Sequence, residues 1–298
     1  MMTLIDRYFE ALQAKIAEIA ARPEPIRQAA RACADALARG GMIHVFDSGH
    51  MVASELINRA GGLVAMSQLA FNLNVINPIK ARAAQPDERT LSFGYIGHVF
   101  DSGHMVASEL INRAGGLVAM TQLAFNLNVI NPVKARAAQS DERTLSFGYI
   151  GHVFETNQLR KGDVLFVGSV SGKTANVIEL ALQARAHGLT VVALTALAYS
   201  SKLDSEHPSG KRLYEAADLV LDNGAPYGDG MLTVAELEYP VCPASGMGAA
   251  AIMWAVVAGT VEEMLARGLT PTIFPSVNRP DGKALVSQAE AEALRKGY

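Results

Sequence analysis

Two cysteines in 298 residues, Cys33 and Cys242, are too few and too far apart for a disulfide framework or a zinc site, so a reducing cytoplasm is the expected setting. Charge is scarce as well, at 18% of residues with a net of −3 and no basic run, which leaves no electrostatic footprint for nucleic acid. No apolar stretch reaches the roughly 18 residues that argue for a membrane span. The longest, Gly246 to Val261, reads as a buried helix. The opening MMTLIDRYFEALQAK mixes acids with apolar residues and lacks the continuous hydrophobic core of a signal peptide. The seven histidines include two pairs, His44/His98 and His50/His104, related only by a repeat, and no cysteine–histidine cluster marks a metal site. What is present is an ordinary globular composition, half hydrophobic, with enough apolar residues for a large core.

The chain says one thing twice. Residues 44–97 return at 98–151 with three changes: Ser67 becomes Thr121, Ile79 becomes Val133 and Pro86 becomes Ser140. His-Val-Phe opens each copy and follows the second, at 152–154, as recombination across a short homology would leave it. Two copies do not make a solenoid, which needs three or more units to bury a continuous core. They compete for one structural slot, and without one copy the remaining 244 residues fit a single α/β domain.

Helical spacing of Leu4, Ile5, Tyr8, Phe9, Leu12, Ile16 and Ile19, then of Ile26, Ala30, Cys33 and Leu37 after Pro23 and Pro25, predicts two N-terminal helices. MIHVF reads as a short buried strand, ASELINRAGG as a helix with a glycine stop and LVAMSQLA as a strand, each repeated in copy two. Farther on, VLFVG (164–168), a helix from Thr174 to His187, LTVVALT (189–195), a helix in SGKRLYEAA and DLVLD (218–222) alternate as βαβαβ. Apolar strands without strict alternation are covered on both faces, hence a doubly wound parallel sheet, flavodoxin- or Rossmann-like. His-Val-Phe itself fits a strand at 44–46 and a helix at 152–154, where Leu145, Tyr149, Val153 or Phe154 and Leu159 share a period.

GSVSGKT at 168–174 stands between a strand and a helix, where free backbone N–H groups and the helix dipole favour an anion. A nucleotide P-loop would need glycine at 167, where Val167 stands. Read as S-x-S-G-x-T, the hydroxyls of Ser169, Ser171 and Thr174 form a cradle for a phosphate monoester without magnesium; a serine-rich helix cap is the alternative.

These residues carry a resemblance. The chain resembles the SIS (sugar isomerase) domain proteins, in particular a stand-alone bacterial branch of phosphosugar-binding proteins: in SVSGKT, in HVF-x-SGH with ELINRAGGL, and in HPSGKRLYEAADLVLDNGAPYGD at 207–229. The resemblance implies a SIS domain over 42–298, preceded by a helical segment 1–41 and containing the duplication. It implies a dimer or tetramer with sites near subunit boundaries, the repeat being available for exchange between subunits. Relatives isomerise sugar phosphates or dehydrate N-acetylglucosamine 6-phosphate, and others only sense their ligand. Asp47 and Asp101 stand where relatives often carry glycine, and the duplication is no part of the family pattern.

Such chemistry begins by removing a proton next to a carbonyl, which wants a carboxylate or imidazole whose pKa burial has raised toward neutrality. Glu55 and Glu109, on the helix after Ser-Gly-His, are candidate bases, as is Glu238, which matches a glutamate in relatives. Solvated helix glutamates would look the same. His207 is a candidate for opening the sugar ring or protonating a leaving oxygen. Ser48, His50, Ser102, His104, Lys211 and Ser245 are candidate substrate contacts, Ser245 also capping its helix. Gly246-x-Gly248-x-x-Ala251 follows a proline turn instead of a strand, and so predicts close helix packing at a dimer interface instead of a dinucleotide site. The expected ligand is a sugar phosphate, with no cofactor, metal, nucleic acid or membrane partner. A non-catalytic sensor and an ATP-hydrolysing P-loop protein are the competing readings.

Overall fold

A computed structural model describes residues 2–47, 66–68, 150, 154, 159–276 and 278–296. Helix α1 (Leu4–Ala20) starts with a capping box in which the Thr3 hydroxyl accepts the Asp6 N–H and the Asp6 carboxylate accepts the Thr3 N–H. Pro23 opens α2 (Pro23–Ala38), where its missing N–H costs nothing. There follow β1 (Ile43–Asp47), β2 (Met66–Gln68), β3 (Val164–Gly168), α3 (Ala175–Ala186), β4 (Thr190–Thr195), the single turns α4 (Leu197–Ser200) and α5 (Leu213–Ala216), and β5 (Leu219–Asp222). A two-stranded antiparallel ribbon, β6 (Gly230–Leu232) with β7 (Val241–Pro243), precedes α6 (Ser245–Ala266) and α7 (Gly282–Lys296).

The five strands form one parallel sheet in the order β2-β1-β3-β4-β5. Side chains alternate between its faces. Ile43, Val45, Val164, Phe166, Val192 and Leu194 pack against α2 and α6. Leu165, Val167, Val191 and Ala193 pack against α3, Leu213 and the buried pair Ile150 and Phe154, both of which are helical. The sheet is doubly wound, as the apolar runs predict. Small residues let α2 and α6 approach closely: a Cβ at Gly259 would lie 2.9 Å from the Ala30 Cβ. Between these helices the Cys33 thiol is pushed up to about 12 by burial, against the opposing hydrogen bond of Thr260.

Both strands of the β1–β2 pair come from copy one, in register Ile43↔Met66, His44↔Ser67 and Val45↔Gln68. Helix ASELINRAGG and the elements of copy two lie outside the described residues. At the opposite end of the sheet from the phosphate-loop position, buried Asp163 accepts the N–H groups of Met42 and Arg160 (both 2.8 Å) and Nε2–H of buried His44 (3.2 Å). Burial works to raise the Asp163 pKa, yet these bonds hold it below the ordinary aspartate value.

Three expectations are corrected. The α1 stripe is not a core face: Ile19 alone is buried, while Ile5 and Phe9 are 69% and 53% exposed, because α2 occupies the position over the sheet. SGKRLYEAA gives only one helical turn, since Ser209 is bonded to His207 and Gly210 is left-handed (φ 70°). Helix α6 runs past Val261 to Ala266 and, by length and composition, could cross a membrane; its buried stripe of Ala249, Ile252, Met253, Val256, Val257 and Met264 instead belongs to the core shared with α2. Beyond Val261 the helix continues because Glu262 faces solvent and Glu263 pairs with Arg267 (3.2 Å) while Met264 stays buried.

Candidate functional site

In a 2-1-3-4-5 sheet the crossover direction reverses between β1 and β3, and the crevice beyond their carboxyl ends is where such folds place ligands. The loop 169–174 lies at that reversal, joining β3 to α3. Buried Ser169 is a structural member: its N–H donates to the Leu194 carbonyl (3.0 Å), and its Oγ accepts the Gly172 N–H (3.3 Å). Gly172 is left-handed (φ 55°), and a Cβ there would meet Ser200 Oγ at 2.9 Å and Thr195 Oγ1 at 3.3 Å, so glycine is required.

Ser171 and Thr174 differ from Ser169. Both are partly exposed and make no side-chain hydrogen bond among the described residues; Thr174 is the N-cap residue of α3 without capping it through its hydroxyl. The N–H groups of Lys173, Thr174 and Ala175 are likewise without a partner among the described residues. Two hydroxyls and the positive end of a 12-residue helix therefore occur together in this loop, a set of groups suited to a phosphate. Lys173 is not part of it. Its ammonium pairs with Glu206 at 2.8 Å on the surface, which raises its pKa and removes the phosphate-reaching lysine of a nucleotide P-loop.

Residues 201–213 form a strap over this loop, fixed by the Glu206 N–H to the Lys173 carbonyl (2.9 Å) and the Leu213 N–H to the Gly172 carbonyl (2.8 Å). His207 bolts the strap to α3. Its Nδ1 accepts the Ser209 N–H (3.1 Å), which makes Nε2–H the donor to Glu179 Oε2 (2.7 Å); Glu179 in turn accepts from Gln183 (2.8 Å). The imidazole is only 7% exposed. Ser209 Oγ, 2.7 Å from Nδ1, connects it toward solvent. Glu179 was no sequence candidate; a carboxylate on the second turn of the helix after a phosphate loop was the available signal. Lys211 is exposed on the strap.

The other candidates scatter. Ser245 is buried, and its Oγ donates to Asp229 Oδ2 (2.7 Å), while the N–H groups of Ala244 and Ser245 donate to Asp229 Oδ1 (3.0 and 2.8 Å). The carboxylate of Asp229, not Ser245, thus caps α6, and Asp229 is held at φ 69° to do it. Glu238 stands exposed between β6 and β7 beside Tyr239, whose pKa its hydrogen bond raises. Gly248 packs closely within the chain, since a Cβ there would collide with the Asn223 carbonyl oxygen. Ser48, His50, Glu55, Ser102, His104 and Glu109 lie outside the described residues. Among the described residues no cluster of His, Cys, Asp and Glu is arranged for a metal ion.

A family model described as SIS domain matches residues 7–77 and 78–196. A UPF0309 protein from Streptomyces coelicolor is 33% identical over 238 residues, covering 79% of this chain and 92% of that one. Those from Shouchella clausii and Streptomyces griseus are 33% and 37% identical, covering 63% and 61% of this chain and 76% and 73% of their own. Among solved structures, phosphoheptose isomerase from Neisseria gonorrhoeae aligns over 87% of this chain and 98% of its own, at 19% identity and a TM-score of 0.37.

Proposed function

The chain belongs to the SIS domain family, and on that premise we propose that it binds a sugar phosphate and isomerises or dehydrates it by proton abstraction next to a carbonyl. The observation that carries this reading is the pair Ser171 and Thr174 at the α3 N-terminus, without side-chain partners among the described residues and set at the strand-order reversal. The phosphate binds there, and the strap 201–213 holds the loop's shape through its bonds to the Gly172 and Lys173 carbonyls. A carboxylate then takes the proton from the carbon beside the carbonyl and returns it to the neighbouring carbon, or a β-oxygen leaves. Glu55, Glu109 and Glu238 remain the proposed bases. His207, oriented by Glu179, serves ring opening, its Nδ1 taking the sugar hydroxyl proton through Ser209 Oγ and returning it to the ring oxygen, or, once protonated on Nδ1 as well, gives that proton to the leaving oxygen. An amino sugar phosphate such as N-acetylglucosamine 6-phosphate is the proposed substrate and the cytoplasm the proposed location. The exposed stripe of Ile5, Phe9 and Ile16 on α1 supports a homo-oligomer.

The experiment is a binding panel of sugar phosphates, amino-sugar phosphates and nucleotides, followed by NMR of each ligand that binds in D2O. Ser171→Ala and Thr174→Ala each weaken sugar-phosphate binding by roughly tenfold, since a hydrogen bond to a charged group is worth about 1.5–3 kcal/mol. Glu238→Gln, or loss of both Glu55 and Glu109, abolishes exchange of the C2 proton while binding persists. Unchanged binding in both hydroxyl variants removes the loop from the site.

A sensor without turnover is the second reading. What favours it is that the buried carboxylates of Asp163 and Asp229 are both fully engaged in structural hydrogen bonds and Glu238 is exposed, so that no carboxylate among the described residues is buried and available beside the loop. Binding with no exchange in the wild-type protein decides for it.

A further inference from the structure

Beyond the phosphate loop, an aromatic and cationic ledge occupies the carboxyl ends of β4 and β5. Tyr199 lies on α4, directly after β4, and Tyr227 five residues after β5. Their rings meet edge to face at 4.9 Å, and Lys202 Nζ lies 5.2 Å from the Tyr227 ring centroid. Val170 of the phosphate loop packs in one cluster with Tyr199, Ala196, Ala225 and Ala244, so ledge and loop share a wall.

Three features set this ledge apart from surface aromatics in general. Tyr227 is 56% exposed, yet its backbone is rigid: the Asp229 N–H donates to the Pro226 carbonyl (2.9 Å), and Gly228 and Asp229 are both left-handed (φ 82° and 69°). A left-handed aspartate is strained, and the three bonds from Ala244 and Ser245 to its carboxylate hold it there. Lys202 also differs from its neighbours. Lys173, Arg185 and Arg212 each pair with a carboxylate of this chain, whereas Lys202 has only the ring beneath it among the described residues.

We propose that Tyr227, backed by Tyr199, and Lys202 form a second subsite that takes the end of the ligand remote from the phosphate, and that this end is a pyranose ring bearing a carboxylate. The C–H face of the ring lies on the exposed part of Tyr227, and the carboxylate meets Lys202, which stands over the same ring. The loop follows β3, Tyr199 follows the adjacent strand β4 and Tyr227 follows β5 beyond it, so the ledge lies to the β4–β5 side of the phosphate position. This inference rests on the phosphate assignment of the loop.

Three probes separate the two: inorganic phosphate, glucose 1-phosphate and glucuronic acid 1-phosphate, which differs from glucose 1-phosphate only in a carboxylate where that sugar has its hydroxymethyl group. Calorimetry on the full chain is expected to show tightest binding for glucuronic acid 1-phosphate and weakest for phosphate. Tyr227→Ala weakens both sugar ligands by about tenfold and leaves inorganic phosphate unchanged, whereas Tyr227→Trp keeps all three affinities. Lys202→Met, which keeps the stem, removes the preference for the carboxylated sugar alone. Equal affinities in wild type and Tyr227→Ala, or a wild type indifferent to the carboxylate, overturn the subsite and leave the phosphate loop standing. Loss of inorganic phosphate in Tyr227→Ala also overturns it, by showing that the residue shapes the loop. A wild type that binds none of the three overturns both readings.

Discussion

Asp163 shows how much a single carboxylate can hold together. It accepts three donors from two segments 121 residues apart in one contact and adjacent in another, tying the starts of β1 and β3 to each other. Asp163→Ala leaves the Met42 and Arg160 amides and the His44 ring without their acceptor and is expected to cost about 3 kcal/mol, read from urea unfolding. The pH dependence follows from the lowered pKa. An unfolded-state aspartate titrates near about 3.9. The stabilisation is therefore fully present above that pH and is lost as pH falls through the lower folded-state value. Wild type loses this increment on acidification while Asp163→Ala does not, so the two unfolding curves converge below pH 4. Parallel curves would show that the charge is immaterial and that hydrogen bonding alone matters.

Helix α6 depends on two features at its N-terminal end, the Asp229 cap and the absence of a side chain at Gly248. The second is the sharper test, because the group a methyl would strike is the Asn223 backbone carbonyl at the end of β5 and cannot rotate away. Gly248→Ala raises intrinsic helix propensity and would stabilise an isolated helix by roughly 1 kcal/mol. In the folded chain overpacking is expected to prevail, with a net loss of about 2 kcal/mol seen as a lower thermal midpoint. A raised midpoint would mean that α6 and β5 separate more easily than their packing indicates. The corresponding substitution at Gly259 would meet the Ala30 Cβ, which is fixed to the α2 backbone, and is likewise expected to destabilise by forcing the two helices apart.

The duplication bears on the whole chain. Copy one supplies β1 and β2 in continuous register, and β1 pairs with β3 from Ile43↔Val164 to Asp47↔Gly168. Deleting residues 98–151 joins Gly97 to His152, so that Ile96 takes the sequence position of Ile150 ahead of the retained Phe154. Every described core contact can then form from the parent order. The shortened chain is expected to be soluble, to unfold at the same or a higher temperature and to keep sugar-phosphate binding, checked by light scattering, calorimetry and thermal melts. Aggregation of the deletion would mean that copy two holds positions the fold needs.

Much of this molecule could be read before any coordinates, and the physical reason is range. Parallel strands and their helices announce themselves over five to fifteen consecutive residues, so VLFVG, TVVALT and LVLD fall where the apolar runs place them, in a doubly wound sheet. The anion loop is legible for the same reason, since strand, Ser-Gly turn and helix start are contiguous. What could not be read joins distant segments. Nothing local pairs His207 with Glu179, 28 residues away, or gives the α6 cap to Asp229 instead of Ser245. Nor does the amphipathic period of α1 say that α2 takes the place over the sheet and leaves Ile5 and Phe9 in water. Periodicity states that a face is apolar; which face is covered depends on the competition among all apolar surfaces for one sheet, and that is settled only when the chain packs.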